Sequence, residues 1–176
     1  MGTNEIDHLV KRLQQDGEKT LAYFAGLGPD DWRAQVYTTG SGWRVHDILA
    51  HFVSAERSFF LLVENVAGGG DGAPRDLDIN EFNEAEVPKL EAMSPDELQA
   101  AYREARQASG RLAAGLDPAD LDRVGYHPWF GQVTVRHMLK LVYRHNMIHL
   151  RDVRKALAQG APVPHREFEP PTASGA

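Results

Sequence analysis

The chain of 176 residues contains no cysteine. This absence excludes disulfides, thiolate metal sites, iron–sulfur clusters and a thiol nucleophile supplied by the protein itself. A basic excess is missing as well, because 25 acidic residues outnumber 19 basic ones and the formal charge is −6. Without surplus cations to neutralise phosphates, the sequence predicts no nucleic-acid partner.

Long apolar runs are also missing. The run at residues 59–63 is far shorter than the roughly 18 residues of a membrane-spanning helix. The first residues are polar and acidic, without the apolar core of a signal peptide. We therefore predict a cytoplasmic protein that does not engage a membrane.

Apolar residues recur at three- and four-residue steps in four long stretches, at about 5–27, 44–66, 94–116 and 134–159. No segment shows a convincing alternating strand pattern. The prediction is an all-α fold, with an antiparallel four-helix bundle as the leading architecture. A glycine-rich crossover at residues 68–74 precedes a short extra helix at residues 79–90.

The predicted domain division is a bundle over residues 1–160 and a proline-rich tail, extended or disordered, over residues 161–176. Ser94 and Glu97 can form a capping box at the start of the third helix. Gly160 predicts the end of the fourth helix.

The chain also resembles itself. Residues 26–32 and 115–121 are similar turns, and the apolar residues of helices two and four match at an offset of 90 positions. This indicates two helix–loop–helix halves about a pseudo-twofold axis. Alternatively, similar turns recruit similar residues.

Eight histidines stand out, because histidine is the strongest transition-metal ligand left to a chain without cysteine. His145 and His149 are four residues apart in the fourth helix, so their rings lie on one side of it. They occupy positions of the inward apolar stripe, where a buried imidazole needs a hydrogen-bond partner or a metal ion. Two such residues on one stripe favour the metal.

The third ligand is expected from helix two. His51 lies at the edge of the apolar face, whereas His46 is about 140° away around the helix. We therefore predict a divalent metal site formed by His51, His145 and His149, and treat His46 as a surface or outer group. A metal-free polar core, in which each histidine is satisfied by its own partner, is the alternative.

The other histidines are weaker candidates. His8 begins helix one, His165 lies in the tail, and His137 is in the first turn of helix four. His127 belongs to an aromatic loop at residues 126–131, which either lines a pocket or plugs the end of the bundle.

Candidates for a general base are few. Glu56 follows His51 by five residues and is not aimed at the metal. Asp152 follows His149 by three residues and is placed to orient a ligand. Both are otherwise expected as surface charges, and no catalytic residue is assigned.

Residues 43–51 (WRVHDILAH) and 145–149 (HNMIH) resemble the DinB-like superfamily, which includes YfiT-type metal-dependent hydrolases and enzymes that use mycothiol or bacillithiol. The resemblance covers about residues 5–158. It implies an up-down-down-up four-helix bundle, often a homodimer, with zinc or nickel held by His51, His145 and His149. The mycothiol-dependent maleylpyruvate isomerase branch has a glutamate at one helix-four position and an extra C-terminal domain, which weighs against that activity here.

Three imidazoles leave open coordination positions, which is typical of catalytic rather than structural metal sites. Such a site can lower the pKa of a bound water or hold a thiol as thiolate. Any thiol must come from outside, as a small-molecule cosubstrate, because the chain has no cysteine. We expect a metal-dependent thiol S-transferase or hydrolase; the alternative is a non-catalytic metal- or small-molecule-binding bundle.

Overall fold

The computed structural model describes residues 2–165. The long helices are α1 (Gly2–Ala25), α3 (Val45–Ala67), α5 (Pro95–Ala114) and α6 (Val135–Gln159), and the short helices in the connections are α2 (Pro29–Arg33) and α4 (Ile79–Glu86). Two 3-10 turns cover Val87–Leu90 and Pro118–Asp122. The predicted all-α four-helix bundle is confirmed, and none of the described helices is long and apolar enough to cross a membrane.

The helix ends follow local signals in the sequence. The Ser94 hydroxyl accepts a hydrogen bond from the Glu97 amide at 3.3 Å, and the Glu97 carboxylate accepts one from the Ser94 amide at 2.7 Å. Thr134 caps α6 by accepting a bond from the His137 amide at 3.2 Å. Gly160 ends α6 with a φ of 65°, a left-handed conformation that favours glycine.

Two pairs of neighbouring helices run parallel. In each pair, a residue later in one helix contacts a residue later in the other helix, so the two helices run in the same direction. The contacts that show this are Glu5–Arg136 followed by Arg12–Tyr143 for α1 and α6, and Phe52–Tyr102 followed by Glu56–Arg106 for α3 and α5.

Helices α3 and α6 run antiparallel, because Phe52 contacts His149 and the later residue Phe59 contacts the earlier residue His145. The order is therefore up-down-down-up, as the resemblance implies. The simple antiparallel bundle expected from helix count alone is wrong. The crossover of residues 68–94 returns the chain to the end where α3 began, so α5 starts beside α3.

The two halves repeat structurally as well. In each half a backbone bond closes the turn ahead of the second long helix, from Val45 to Ala34 at 3.0 Å and from Val135 to Arg123 at 2.9 Å. A pseudo-twofold axis that exchanges α1 with α5 and α3 with α6 also exchanges the two parallel pairs. The packing agrees with the predicted internal repeat.

Residues 124–134 form a β-hairpin, which contradicts the expectation of no strands. Strands β1 (Val124–His127) and β2 (Gly131–Thr134) pair antiparallel, with Val124 opposite Thr134. The strands have four residues each, too short for an alternating pattern to stand out. The hairpin packs on the end of α3, where a side chain at position 125 would collide with Val66.

The glycine-rich crossover is held against this hairpin. The Tyr126 amide donates to the Asp71 carbonyl at 2.8 Å, and the Ala73 amide donates to the Tyr126 carbonyl at 2.9 Å. Gly72 lies between them with a φ of 95°, and a Cβ there would collide with the Tyr126 backbone. Glycine at position 72 therefore serves close backbone approach.

Residues 161–165, the start of the predicted tail, pack against the bundle, and Val163 is buried. The rest of that tail, residues 166–176, lies outside the described residues.

The hydrophobic core is divided into two clusters by a layer of polar side chains. One cluster includes Phe24, Phe52, Tyr102 and Leu150, and the other includes Leu13, Val63, Ala113 and Val142. Along each long helix the polar residues lie between members of the two clusters. The buried or nearly buried residues of this polar layer are Asp16, Glu56, Arg106, Ser109 and Asn146.

Arg106 is the centre of this layer. Its guanidinium donates to Glu56 at 2.6 and 2.9 Å, to Asp16 at 3.1 Å and to the Leu13 carbonyl at 3.0 Å. Glu56 is only 2% exposed and also accepts a bond from Ser109 at 3.2 Å. The expectation that Glu56 is a surface charge is wrong, because the partner that permits its burial comes from another helix.

We predict that Glu56→Leu lowers the free energy of unfolding by about 3 to 5 kcal/mol, since it leaves Arg106 charged and buried without its main partner. The double variant Glu56→Leu/Arg106→Met should regain most of that loss. Urea denaturation measures both. The control Asp30→Asn, which breaks an exposed pair with Arg33, should cost less than about 1 kcal/mol; an equal loss for Glu56→Leu would contradict the prediction.

Candidate metal centre

Three histidines from two antiparallel helices converge inside the bundle. Helix α3 supplies His51, and one face of α6 supplies His145 and His149. One ring nitrogen from each lies within 4.8 Å of the others, so the three residues could hold one metal ion. The structure thus brings together the three residues that the sequence selects.

The other histidines of helices α3 and α6 do not join this group. His46 donates from Nε2 to the Met93 carbonyl at 2.8 Å, which ties the start of α3 to the segment before α5. His137 is exposed in the first turn of α6. His46 thus has the outer position that the sequence predicts.

The three converging imidazoles are neutral near pH 7. Burial lowers the pKa of His51 and His149 well below the usual value, and the neighbouring histidines lower it further, because a second proton in this group would bring two positive charges together. Burial also lowers the pKa of His145, to about 4. A neutral imidazole offers a lone pair, which is the form that binds a metal.

The hydrogen-bond inventory of His51 and His145 fits a metal ion. Their Nε2 atoms are 2.8 Å apart, and Nδ1 of His145 is 3.2 Å from the Asn146 amide oxygen, to which it can donate. Nε2 of His145 then carries a lone pair.

His51 therefore either directs a second lone pair at Nε2 of His145 or donates to it from its own Nε2. In the second case its buried Nδ1 is a bare acceptor, which has no hydrogen-bond partner in residues 2–165. Both arrangements are costly inside a protein. An ion bound by both Nε2 atoms would accept both lone pairs, so the donor set fits a divalent transition metal.

Tyr37 lies behind His149 and orients it. Its hydroxyl is 2.6 Å from Nδ1 of His149 and 3.4 Å from the Asp152 carboxylate. Burial raises the pKa of Tyr37, so the hydroxyl stays protonated. The arrangement that satisfies all three groups has His149 donating to Tyr37 and Tyr37 donating to Asp152, which leaves Nε2 of His149 free to face a metal.

Asn146 plays the corresponding part for His145. It is 1% exposed and donates from Nδ2 to the Tyr102 hydroxyl at 2.8 Å. That bond directs its amide oxygen towards Nδ1 of His145. Both candidate ligands of α6 therefore have an outer partner on the nitrogen that faces away from the triad.

Aromatic rings cover the triad. The ring of Trp43 lies 4.7 Å from that of His51 and 6.4 Å from that of His149, measured between centroids. Phe52 lies 6.0 Å from His145 and 5.9 Å from His149. These rings give the site an apolar wall that limits access of water.

Several of these residues are not evident from the sequence. Tyr37 lies outside any periodic stretch and meets His149 across 112 positions, so no local pattern indicates it. Trp43 could have been found from the sequence, because it begins the nine-residue segment that ends at His51. Asp152 has the predicted orienting position, but it acts through Tyr37 and is buried instead of being a surface charge.

The aromatic loop closes the end of the bundle next to His145. His127 of β1 is buried, its ring is 5.7 Å from Phe59, and its Nδ1 accepts a bond from the Trp129 amide at 3.1 Å. Burial lowers the pKa of His127 to about 4. This packing favours the interpretation of the loop as a plug.

Comparison with known proteins agrees with this geometry. The sequence profile of the DinB superfamily matches residues 12–153, a range that includes all three histidines of the triad. The chain belongs to the DinB superfamily. No curated protein matches this DinB chain.

A solved structure shares the fold of this DinB protein. YfiT from Bacillus subtilis superposes with a TM-score of 0.71, covering 89% of this chain and 88% of its own, at 18% sequence identity. It is described as a probable metal-dependent hydrolase with an unusual four-helix bundle topology. The up-down-down-up order found here belongs to that shared fold.

We predict that Tyr37→Phe weakens divalent-metal affinity roughly tenfold, because His149 loses the hydroxyl that fixes its tautomer. Isothermal titration with zinc measures the change. Tyr143→Phe is the matched control, since this buried tyrosine of α6 lies against Arg12 and outside the triad. Equal affinities of the two variants would contradict the role of Tyr37.

We also predict an acid sensitivity that depends on His127. The pKa of His127 is about 4 in the folded chain and about 6.5 in the unfolded chain. Below pH 6.5 the unfolded state therefore binds more protons than the folded state, which lowers the free energy of unfolding. Between pH 7 and pH 5 the metal-free protein should lose about 2 kcal/mol more than His127→Phe. Urea denaturation at both pH values measures this difference; identical pH dependence would contradict it.

Proposed function

We propose that this DinB protein is a metal-dependent enzyme in which His51, His145 and His149 hold a divalent ion, with zinc and nickel as the foremost candidates. The observation that carries the proposal is the convergence of three neutral imidazoles from two helices within 4.8 Å. The ion would activate a water molecule or an external thiol as a nucleophile towards a small electrophilic substrate.

The chain's own residues would bind and orient the ion. His145 and His149 are each held by an outer partner, Asn146 and Tyr37, on the ring nitrogen that faces away from the triad. Three protein ligands leave coordination positions for a substrate, as in catalytic sites. The rings of Trp43 and Phe52 would exclude water from these open coordination positions, which strengthens electrostatic interactions there.

The nearby carboxylates bear on which nucleophile is used. Glu56 is engaged by Arg106 and Ser109, and Asp152 by Tyr37 and Arg151. Neither is placed to take a proton from a reacting group at the triad. This favours a thiol, whose acidity rises strongly on metal binding and which needs little help from a base. We therefore propose thiol S-transfer as the first activity, with the thiol supplied as a cosubstrate.

Hydrolysis is the second candidate, supported by the description of YfiT as a probable metal-dependent hydrolase on the same fold. A non-catalytic bundle that binds a metal or a small molecule is the alternative of a different class. Such a binding protein would have the same triad as the two enzymes but would not turn over a substrate, so activity measurements separate it from both. Assembly as a homodimer is a further proposal, which sedimentation equilibrium would test.

Metal stoichiometry tests the site itself. We predict roughly one divalent ion per chain after loading and gel filtration, and loss of most of it in His149→Ala, because two imidazoles bind much more weakly than three. His46→Ala is the control, since that histidine lies on α3 but bonds Met93. Less than about half an equivalent, unchanged by His149→Ala, would support a metal-free polar core.

Turnover assays of the loaded protein then separate the functions. Activated esters test hydrolysis, and alkylating electrophiles with bacillithiol or mycothiol test S-transfer. Turnover that requires the thiol and is lost in His149→Ala supports the first proposal, whereas thiol-independent ester cleavage supports hydrolysis. Tight metal binding without turnover in any assay would favour the binding protein.

A further inference from the structure

The segment after α6 returns to the candidate metal centre. The Val163 amide donates to the Val36 carbonyl at 2.8 Å, and the Val163 carbonyl accepts from the Thr38 amide at 2.9 Å. The His165 amide donates to the Thr39 hydroxyl at 3.0 Å. Residues 161–165 are thereby fixed beside the loop that carries Tyr37.

This pairing brings a fourth imidazole to the triad. The ring of His165 lies 4.3 Å from that of Tyr37, 5.8 Å from that of His149 and 6.4 Å from that of Trp43, measured between centroids. The sequence places His165 in a tail, and the profile match ends twelve positions earlier, at residue 153. Its approach to the triad follows only from the backbone pairing of Val163.

We propose that His165 is a positioning residue of the metal centre, which acts by packing its ring against Tyr37 and holding the Tyr37 hydroxyl against Nδ1 of His149. This inference rests on the proposed function in one respect, that the triad binds a metal.

Two features of the structure support this role. Tyr37 belongs to the irregular connection between α2 and α3, and among residues 2–165 the aromatic ring that lies closest to it, at 4.3 Å, is that of His165. Its 2.6 Å bond to His149 is short, and a small rotation of the ring would lengthen it. A ring packed against Tyr37 restricts that rotation.

The structural anchor of the segment is a different residue. Val163 is 4% exposed and makes both backbone bonds to the loop, whereas the His165 side chain is only half-buried. Replacing the His165 ring should therefore leave the segment in place and the fold intact. The contribution of the ring can be measured separately from folding.

The test uses Co²⁺, whose visible absorption reports its coordination, with wild type, His165→Ala and His165→Phe. We expect His165→Ala to weaken Co²⁺ binding roughly five- to tenfold and to change the absorption bands. His165→Phe keeps an aromatic ring at this position and should restore affinity to within about twofold of wild type. The melting temperatures of the three metal-free proteins should agree within about 2 °C.

A double-mutant cycle identifies the route. In the Tyr37→Phe background, His165→Ala should cause no further loss of affinity, because the hydroxyl through which it acts is gone. His137→Ala, which removes an exposed histidine from the other end of α6, is the matched control and should bind like wild type.

The outcomes are distinguishable. Wild-type affinity and absorption in His165→Ala would overturn the inference, as would a His165→Phe protein as defective as His165→Ala. Additive losses in the double variant would also overturn the route through Tyr37. Failure of the wild-type protein to bind Co²⁺ would instead contradict the proposed function.

Discussion

The ion pair between Arg106 and Glu56 is the interaction on which the rest of the bundle depends. Each charge is buried, and neither could be there without the other. The pair fixes α5 against α3 in a parallel register, and Arg106 adds α1 through Asp16 and the Leu13 carbonyl. A slip of one helix by a turn would leave a charge unpaired between two hydrophobic clusters, so the polar layer selects one packing.

That register also sets the candidate metal centre. His51 lies five residues before Glu56 on α3, and Tyr102 lies four residues before Arg106 on α5. Tyr102 therefore lies at the height of Asn146 on α6, and its hydroxyl accepts a hydrogen bond from that side chain. Asn146 in turn faces Nδ1 of His145. The layer that stabilises the fold and the residues that orient the triad form one hydrogen-bonded region, so the site inherits its rigidity from the core.

The sequence allowed the triad, the helix ends and the internal repeat to be predicted, because each follows from spacing along one helix or from a short turn. Periodicity and spacing did not indicate the parallel pairing of α3 with α5, which only the family resemblance implied, nor the burial of Glu56 or the roles of Tyr37 and His165. Each of these depends on a partner fifty or more positions away. The strands were missed for another reason, since four residues carry too little periodicity to be recognised.

The repeat gives a physical reason to regard the histidines as functional. At an offset of 90 positions, His145 and His149 correspond to Ala55 and Phe59, and His51 corresponds to Leu141. The same scaffold is thus built in the other half with apolar side chains at these places. Burying three neutral imidazoles, one of them with an unpartnered nitrogen among the described residues, costs stability relative to such side chains. Since folding does not require this arrangement, a ligand for the converging nitrogens, as proposed above, would offset its cost.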